Sequence, residues 1–450
     1  MITARAFSGK HYAVYGLARS GLATAEALLA SGAKVTAWDA NEEGRAKAPA
    51  GAAIEDLDQA DLSQFDSLVV TPGLPLNRHP IAARARDAGV EIIGDIELFA
   101  RARPELPPHK VVGITGTNGK STTTALVHHI LSTAGDPTTM AGNIGLPILA
   151  QDPLPQGGVY VLELSSYQID LTQSLDCDVA VLLNITPDHL DRYDDFEAYA
   201  ASKARLFVMQ TPEHFAVIAG EDKASRAIMR SLRAPAEAGA QTGEAVGTLR
   251  ASGLPPSREH VLWVDPAMVV EGHGNWPNLQ GRHNAQNAGA AMAVARSLGH
   301  DSHAVRDAVA TFPGLPHRME RVRDKDGVLF VNDSKATNPT ATAPALAAFP
   351  AIRWICGGQA KTDNLDECAR HFVNVRSAYT IGEAAELFER LLSPHMPVKN
   401  CGKLDEAVKQ AAADAHRDDT VLLSPACASF DQFRDFEDRG DQFRALVGGL

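Results

Sequence analysis

Lys110-Val111-Val112-Gly113-Ile114-Thr115-Gly116-Thr117-Asn118-Gly119-Lys120-Ser121-Thr122 is the stretch on which the fold turns. Its first six residues read as a buried strand, and Ser121 to Ala134 reads as a helix. A glycine-bearing loop joins them. Glycines let backbone N–H groups approach phosphate oxygens, and a helix N-terminus adds partial positive charge. Lys120 is placed for the β- and γ-phosphates of a nucleotide, while Ser121 and Thr122 offer hydroxyls to Mg²⁺ or phosphate. The strict G-x-x-x-x-G-K-[ST] pattern is not met, because Ile114 stands where its first glycine belongs. A turn before an ordinary helix is the plainer alternative. Strand context, lysine and two hydroxyls together favour phosphate.

Outward from this loop the chain alternates strands and helices, the pattern of parallel β-α-β units. Upstream, strands are expected at His11 to Gly16, Lys34 to Trp38 and Ser67 to Val70, with a helix over Ser20 to Ser31. Pro104 to Pro108 reads as a linker, since proline disfavours helix interiors and central strands. Downstream, Val159 to Leu164 and Val179 to Asn184 read as buried strands. Gly220 to Gly281 reads as irregular strands and loops, and Gly281 to Leu298 as an Ala-rich helix. A third block places strands near Val328 to Asn332, Trp354 to Cys356 and Thr420 to Ser424.

Composition agrees with this and excludes other classes. At about 150 residues per domain, 450 residues suggest three domains. Their expected bounds are 1–107, 108–313 and 314–450. With 45% hydrophobic and 22% charged residues, the chain is a packed protein rather than a disordered one. Its net charge of -13 argues against a nucleic-acid partner. Cys177, Cys356, Cys368, Cys401 and Cys427 lack any C-x-x-C pair and read as reduced thiols. No run reaches the roughly 18 apolar residues of a membrane span. Met1 to Lys10 has no signal-peptide core, so a cytoplasmic protein is expected.

The Thr115-to-Thr122 segment resembles the ATP loop of the Mur ligase family, which joins amino acids to peptidoglycan precursors. Further segments are similar to that family in order: Leu162 to Gln168, Asn184 to Tyr193, Tyr199 to Phe207, Gly281 to Asn287 and Pro316 to Glu320. Asn332 to Asn338 and Leu423 to Gly440 resemble the members that add D-glutamate to UDP-N-acetylmuramoyl-L-alanine. Gly94 to Leu98 and Gly142 to Pro147 are familiar from the same members, and the D-N-P-R signature of the diaminopimelate-adding branch is absent. The resemblance implies an α/β, three-domain architecture. Its parts are an N-terminal Rossmann-like domain, a central P-loop ATPase-like domain with a mostly parallel sheet, and a C-terminal Rossmann-like domain.

The resemblance also implies site residues. Gly116, Thr117, Asn118, Gly119, Lys120, Ser121, Thr122, Asn287, Arg318 and Asp333 would hold ATP. Lys335 would lie beside the γ-phosphate and the reacting carboxylate. Ser20, Gly21, Asp39, Thr71, Gly73, Asn143 and His189 would face the UDP-sugar substrate. Thr337, Lys361, Ser429 and Phe436 would take D-glutamate. Two Mg²⁺ ions are implied, on Ser121, Glu163, His189 and a carbamylated Lys203. Glu163 also stands out without the resemblance, because an unpaired carboxylate in an apolar strand is costly. Lys120, His189, Lys203 and Lys335 would carry catalysis, through an acyl phosphate, in a monomer.

Rival readings each meet an obstacle. Gly16 to Gly21 is a degenerate dinucleotide fingerprint, so an NAD-dependent oxidoreductase is the weaker reading. A regulatory NTPase would need no amino-acid pocket. A sister ligase of different amino-acid choice is opposed by the D-S-K-A-T-N and S-P-A-C-A-S segments, though D- against L-glutamate is not legible.

Overall fold

The computed structural model describes residues 1–188, 191–233, 260–265, 269 and 276–450. The chain divides into two compact units, one of Met1–Val269 with Gln286–Val309, the other of Val270–Ala285 with Ala310–Leu450.

The first unit holds two parallel sheets. Strands β1 (His11–Tyr15), β2 (Lys34–Trp38), β3 (Ala53–Ile54), β4 (Ser67–Val70) and β5 (Glu91–Ile93) run in the order β3-β2-β1-β4-β5. Strands β6 (His109–Thr115), β7 (Thr138–Gly142), β8 (Gly158–Glu163), β9 (Val179–Leu182), β10 (Phe215–Ile218) and β11 (Val261–Trp263) run β11-β10-β9-β6-β8-β7. Strands β8 and β9 are buried throughout, which suits parallel strands covered by helices on both faces. In the first sheet the order reverses between β1 and β4, so the loops after them part and leave a crevice. In the second, Ile114 of β6 is paired with Glu163 of β8, which sets that acid beside the loop after β6.

Gly94 to Leu98 joins the two sheets. Glu97, on the helix Asp95–Ala102, is 1% exposed. Its carboxylate accepts from the Gln173 amide at 2.7 Å, the Ser174 amide at 2.9 Å, the Ser174 hydroxyl at 2.9 Å and Arg101 Nε at 2.9 Å. Gly94 donates its amide to the Leu171 carbonyl, and a Cβ there would lie 3.0 Å from Leu171 Cβ. Glu97→Ala removes the buried acceptor shared by these four hydrogen bonds, so unfolding free energy should fall by about 2 kcal/mol. Urea denaturation checks this; a change within about 0.5 kcal/mol would count against the joint.

The second unit carries β12 (Glu320–Lys325), β13 (Val328–Asn332), β14 (Ile352–Gly357), β15 (Val375–Ile381), β16 (Val398–Gly402) and β17 (Thr420–Leu423). Their order is β12-β13-β17-β14-β15-β16, parallel except for the antiparallel hairpin β12–β13. The reading of Gly220 to Gly281 as irregular strands and loops is corrected in part. Lys223–Arg233 is a helix with Ser225, Ile228 and Leu232 buried at helical spacing, and Val261–Trp263 is a strand. The remainder of that stretch lies largely outside the described residues. Among the described residues no helix is long and apolar enough to cross a membrane.

Candidate active site

The loop after β6 is shaped by its own neighbours. Gly119 caps the helix Lys120–Thr133 in the left-handed region at φ 87°. A Cβ at Gly119 would fall 2.3 Å from Asn287 Oδ1, so only glycine lets that amide pack there. Asn184 clasps the loop, accepting from the Asn118 amide at 2.9 Å and donating to the Asn118 carbonyl at 3.1 Å. Thr117 Oγ1 meets Tyr199 Oη at 3.1 Å and accepts from the Thr186 amide at 3.0 Å. Lys120 Nζ donates to the Gly116 and Thr117 carbonyls, each at 2.9 Å, folding the ammonium over the loop. Ser121 and Thr122 open the helix, both buried.

Around the loop stand an acid and a lysine. Glu163, 2% exposed, accepts from Asn143 Nδ2 through Oε1 at 2.9 Å, while its Oε2 is buried with no hydrogen-bond partner. A buried carboxylate oxygen left open in this way suits a hard cation with oxygen ligands, so the residues present fit Mg²⁺. Lys203, on the helix Phe196–Val208, is 1% exposed and donates to the Gly116 carbonyl at 3.1 Å, with Nζ 4.6 Å from the Tyr199 ring centroid. Burial first, and the charge of Lys120 second, bring its ammonium down to about 7. Gly116 thus receives both lysines on one carbonyl. His189 lies outside the described residues.

A second constellation sits at the crevice between β1 and β4. Gly16 has φ 97°, and a Cβ there would strike Thr71 Oγ1 at 2.3 Å. Gly21 is closer still, its Cβ falling 1.8 Å from the Gly16 carbonyl oxygen. Ser20, Gly21, Thr24, Thr71 and Asp95 line a narrow crevice there. Asp39 ties the turn down, accepting from the Leu17 amide at 2.6 Å and the Asn41 amide at 2.8 Å. Arg45 reaches the Asp39 carbonyl at 2.7 Å with its guanidinium over Trp38, a cation at this strand end that sequence reading missed. Gly73 is exposed in the otherwise half-buried Thr71-to-Leu74 turn, which Arg192 grips at the Leu74 carbonyl at 2.7 Å.

The second unit gathers the remaining candidates on the loops around β13 and β17. Asp333, buried, accepts from Ser424 Oγ at 2.8 Å and the Met319 amide at 3.1 Å. Burial raises its carboxyl to about 7 against the pull of Ser424, Arg318 and the Met319 amide. Arg318 lies between His317 at φ 61° and Met319 at φ 50°, two residues held in a region that L side chains rarely adopt. Its Nε is buried without a hydrogen-bond partner. Lys335 Nζ lies 5.3 Å from the Phe436 ring centroid. Thr337 is half-buried, Ser429 buried and Lys361 exposed, while Gln359 and Ala428 exchange backbone hydrogen bonds at 2.9 Å.

Three family models cover the chain in order: the Mur ligase MurD-like N-terminal domain over residues 10–94, the Mur ligase middle domain over 114–295, and the Mur ligase glutamate ligase domain over 317–427. A UDP-N-acetylmuramoylalanine–D-glutamate ligase of Novosphingobium aromaticivorans is 59% identical, covering 100% of this chain and 97% of its own. The chain belongs to the Mur ligase family. The ligase of the same name from Zymomonas mobilis is 53% identical over 100% of both chains. Two solved Thermotoga maritima proteins share the fold, each with a TM-score of 0.56. The UDP-N-acetylmuramate-alanine ligase is 17% identical, covering 98% of this chain and 99% of its own. The MurF ligase, solved with ADP, is 16% identical, covering 98% and 96%.

Membership in the Mur ligase family gives the chain its three-domain α/β fold, two parallel sheets followed by a mixed one. Asn184, Tyr199 and Arg192 were quoted in the sequence only as parts of longer segments. Their work as loop clasps needed coordinates to be seen.

Proposed function

We propose that this Mur ligase adds D-glutamate to UDP-N-acetylmuramoyl-L-alanine at the expense of ATP, as a monomer in the cytoplasm. The observation that carries this is full-length likeness, at 59% identity, to a ligase of that name. The alanyl carboxylate attacks the γ-phosphorus, the bond to ADP breaks, and an acyl phosphate forms. The D-glutamate amine then attacks that carbonyl, gives up a proton, and inorganic phosphate leaves.

On this reading the loop amides of Gly116 to Thr122, with Lys120, cradle the ATP phosphates. Asn287, Arg318 and Asp333 serve the rest of the nucleotide. Lys335 approaches the γ-phosphate and the reacting carboxylate. Ser20, Gly21, Asp39, Thr71, Gly73, Asn143 and His189 orient the UDP-sugar, and Thr337, Lys361, Ser429 and Phe436 orient the amino acid. Two Mg²⁺ ions, held by Ser121, Glu163, His189 and carbamylated Lys203, would offset the charge of the crowded anions. The expected domain bounds, 1–107, 108–313 and 314–450, then assign UDP-sugar, ATP and D-glutamate in chain order.

Phosphate release should depend on ATP, UDP-N-acetylmuramoyl-L-alanine and D-glutamate together. Release that ignores D-glutamate, or that proceeds equally with L-glutamate, L-alanine or diaminopimelate, would overturn the specificity.

A further inference from the structure

Arg439 belongs to the helix Phe436–Gly448, in its first turns, and is 0% exposed. A cation near a helix N-terminus opposes the backbone dipole, and a buried guanidinium ordinarily has a carboxylate partner. Among the described residues no acid lies within ion-pair distance of it. Four oxygens surround it instead. Nε donates to Ser334 Oγ at 2.9 Å, and Nη2 to the Ser334 carbonyl at 2.8 Å and the Cys427 carbonyl at 3.1 Å. Nη1 donates to the Ala428 carbonyl at 3.3 Å.

Those partners lie beside the pocket proposed for D-glutamate. Ser334 precedes Lys335 and Thr337, and its hydroxyl passes the contact on by donating to the Phe436 carbonyl at 2.8 Å. Cys427 and Ala428 precede Ser429. Ala428 in turn bridges Gln359, two residues before Lys361. A Cβ at Gly358 would fall 3.2 Å from Arg439 Nη1, so that loop rests on the same guanidinium. One fork therefore touches, directly or through one hydroxyl, every loop that carries Thr337, Lys361, Ser429 and Phe436.

We infer that Arg439 is a positioning residue for the amino-acid pocket, holding the Ser334, Gly358 and Cys427–Ala428 segments and the Phe436 carbonyl in one register. This rests on the assignment of that pocket to D-glutamate. A lysine cannot replace it, because an ammonium is a point charge that cannot serve four divergent oxygens from a planar fork. Misplacement of reacting groups by about 1 Å costs roughly a hundredfold in rate.

The test compares wild type, Arg439→Lys and Ser334→Ala under saturating ATP. Wild-type turnover with D-glutamate checks the pocket assignment first, and its absence would overturn that assignment rather than the clamp. In Arg439→Lys we expect the KM for D-glutamate to rise about tenfold or more and kcat to fall. The KM for the UDP-sugar should stay within about twofold of wild type. Ser334→Ala, which removes only the hydroxyl relay, should shift the D-glutamate KM in the same direction, with the double variant less than additive. A kcat that falls only with the folded fraction, at an unchanged D-glutamate KM in both variants, would overturn the positioning role.

Discussion

Lys120→Ala should lower kcat by about a thousandfold or more while leaving the fold intact. In the loop the Lys120 ammonium donates to the backbone carbonyls of Gly116 and Thr117. Truncation leaves the Gly116 carbonyl its bond from Lys203, and the Thr117 carbonyl lies in a half-buried loop, so the cost to the fold is small. The helix that follows keeps its Gly119 cap and its buried Thr123, Thr124, Leu126 and Val127. On the proposed reading, by contrast, truncation removes a cation that meets the developing charge on the γ-phosphoryl group. Steady-state turnover, with circular dichroism and a urea midpoint alongside, separates the two effects. Turnover within about tenfold of wild type in a folded variant would remove the phosphate-loop assignment.

Much of this site was legible because its chemistry forces unusual residues into regular patterns. An acid ending an apolar strand, as Glu163 does, is conspicuous, and the structure leaves one of its oxygens buried and open. A loop of two glycines, a lysine and two hydroxyls between a strand and a helix is equally plain. Strands β1, β2, β4 and β13 fell close to where apolar runs placed them. Short edge strands did not announce themselves: β3 has two residues, both exposed, and β12 (Glu-Arg-Val-Arg-Asp-Lys) is polar throughout but for one valine. The Lys223–Arg233 helix was hidden by its flanks, where glycine, proline and alanine dominate the composition. Arg439 was hidden for a different reason. An arginine amid Glu437, Asp438 and Asp441 reads as part of a solvated helix face, and only burial shows that it turns inward to carbonyls.

Replacing Lys203 should separate activity from stability. The ammonium is buried, one carbonyl receives it, and Lys120 repels it. With its pKa brought down to about 7, an appreciable share of the side chain is neutral amine at neutral pH. A neutral amine attacks CO₂; the new N–C bond yields a carbamate anion and releases one proton. That step would turn a repulsive pair with Lys120 into an attractive one and supply oxygen ligands beside the Gly116 carbonyl. Lys203→Met should therefore cost about a hundredfold or more in turnover. It should also raise unfolding free energy by about 1–4 kcal/mol against unmodified protein, because it removes a poorly paired buried cation. Stripping CO₂ from buffer should slow the wild type, and bicarbonate should restore it, faster above pH 7 than below because protonation blocks the amine. A ¹³C-bicarbonate label should appear as a carbamate carbon in wild type and be missing in Lys203→Met. Full activity in CO₂-free buffer, with no label taken up, would exclude the carbamate and leave Lys203 as a cation on the Gly116 carbonyl.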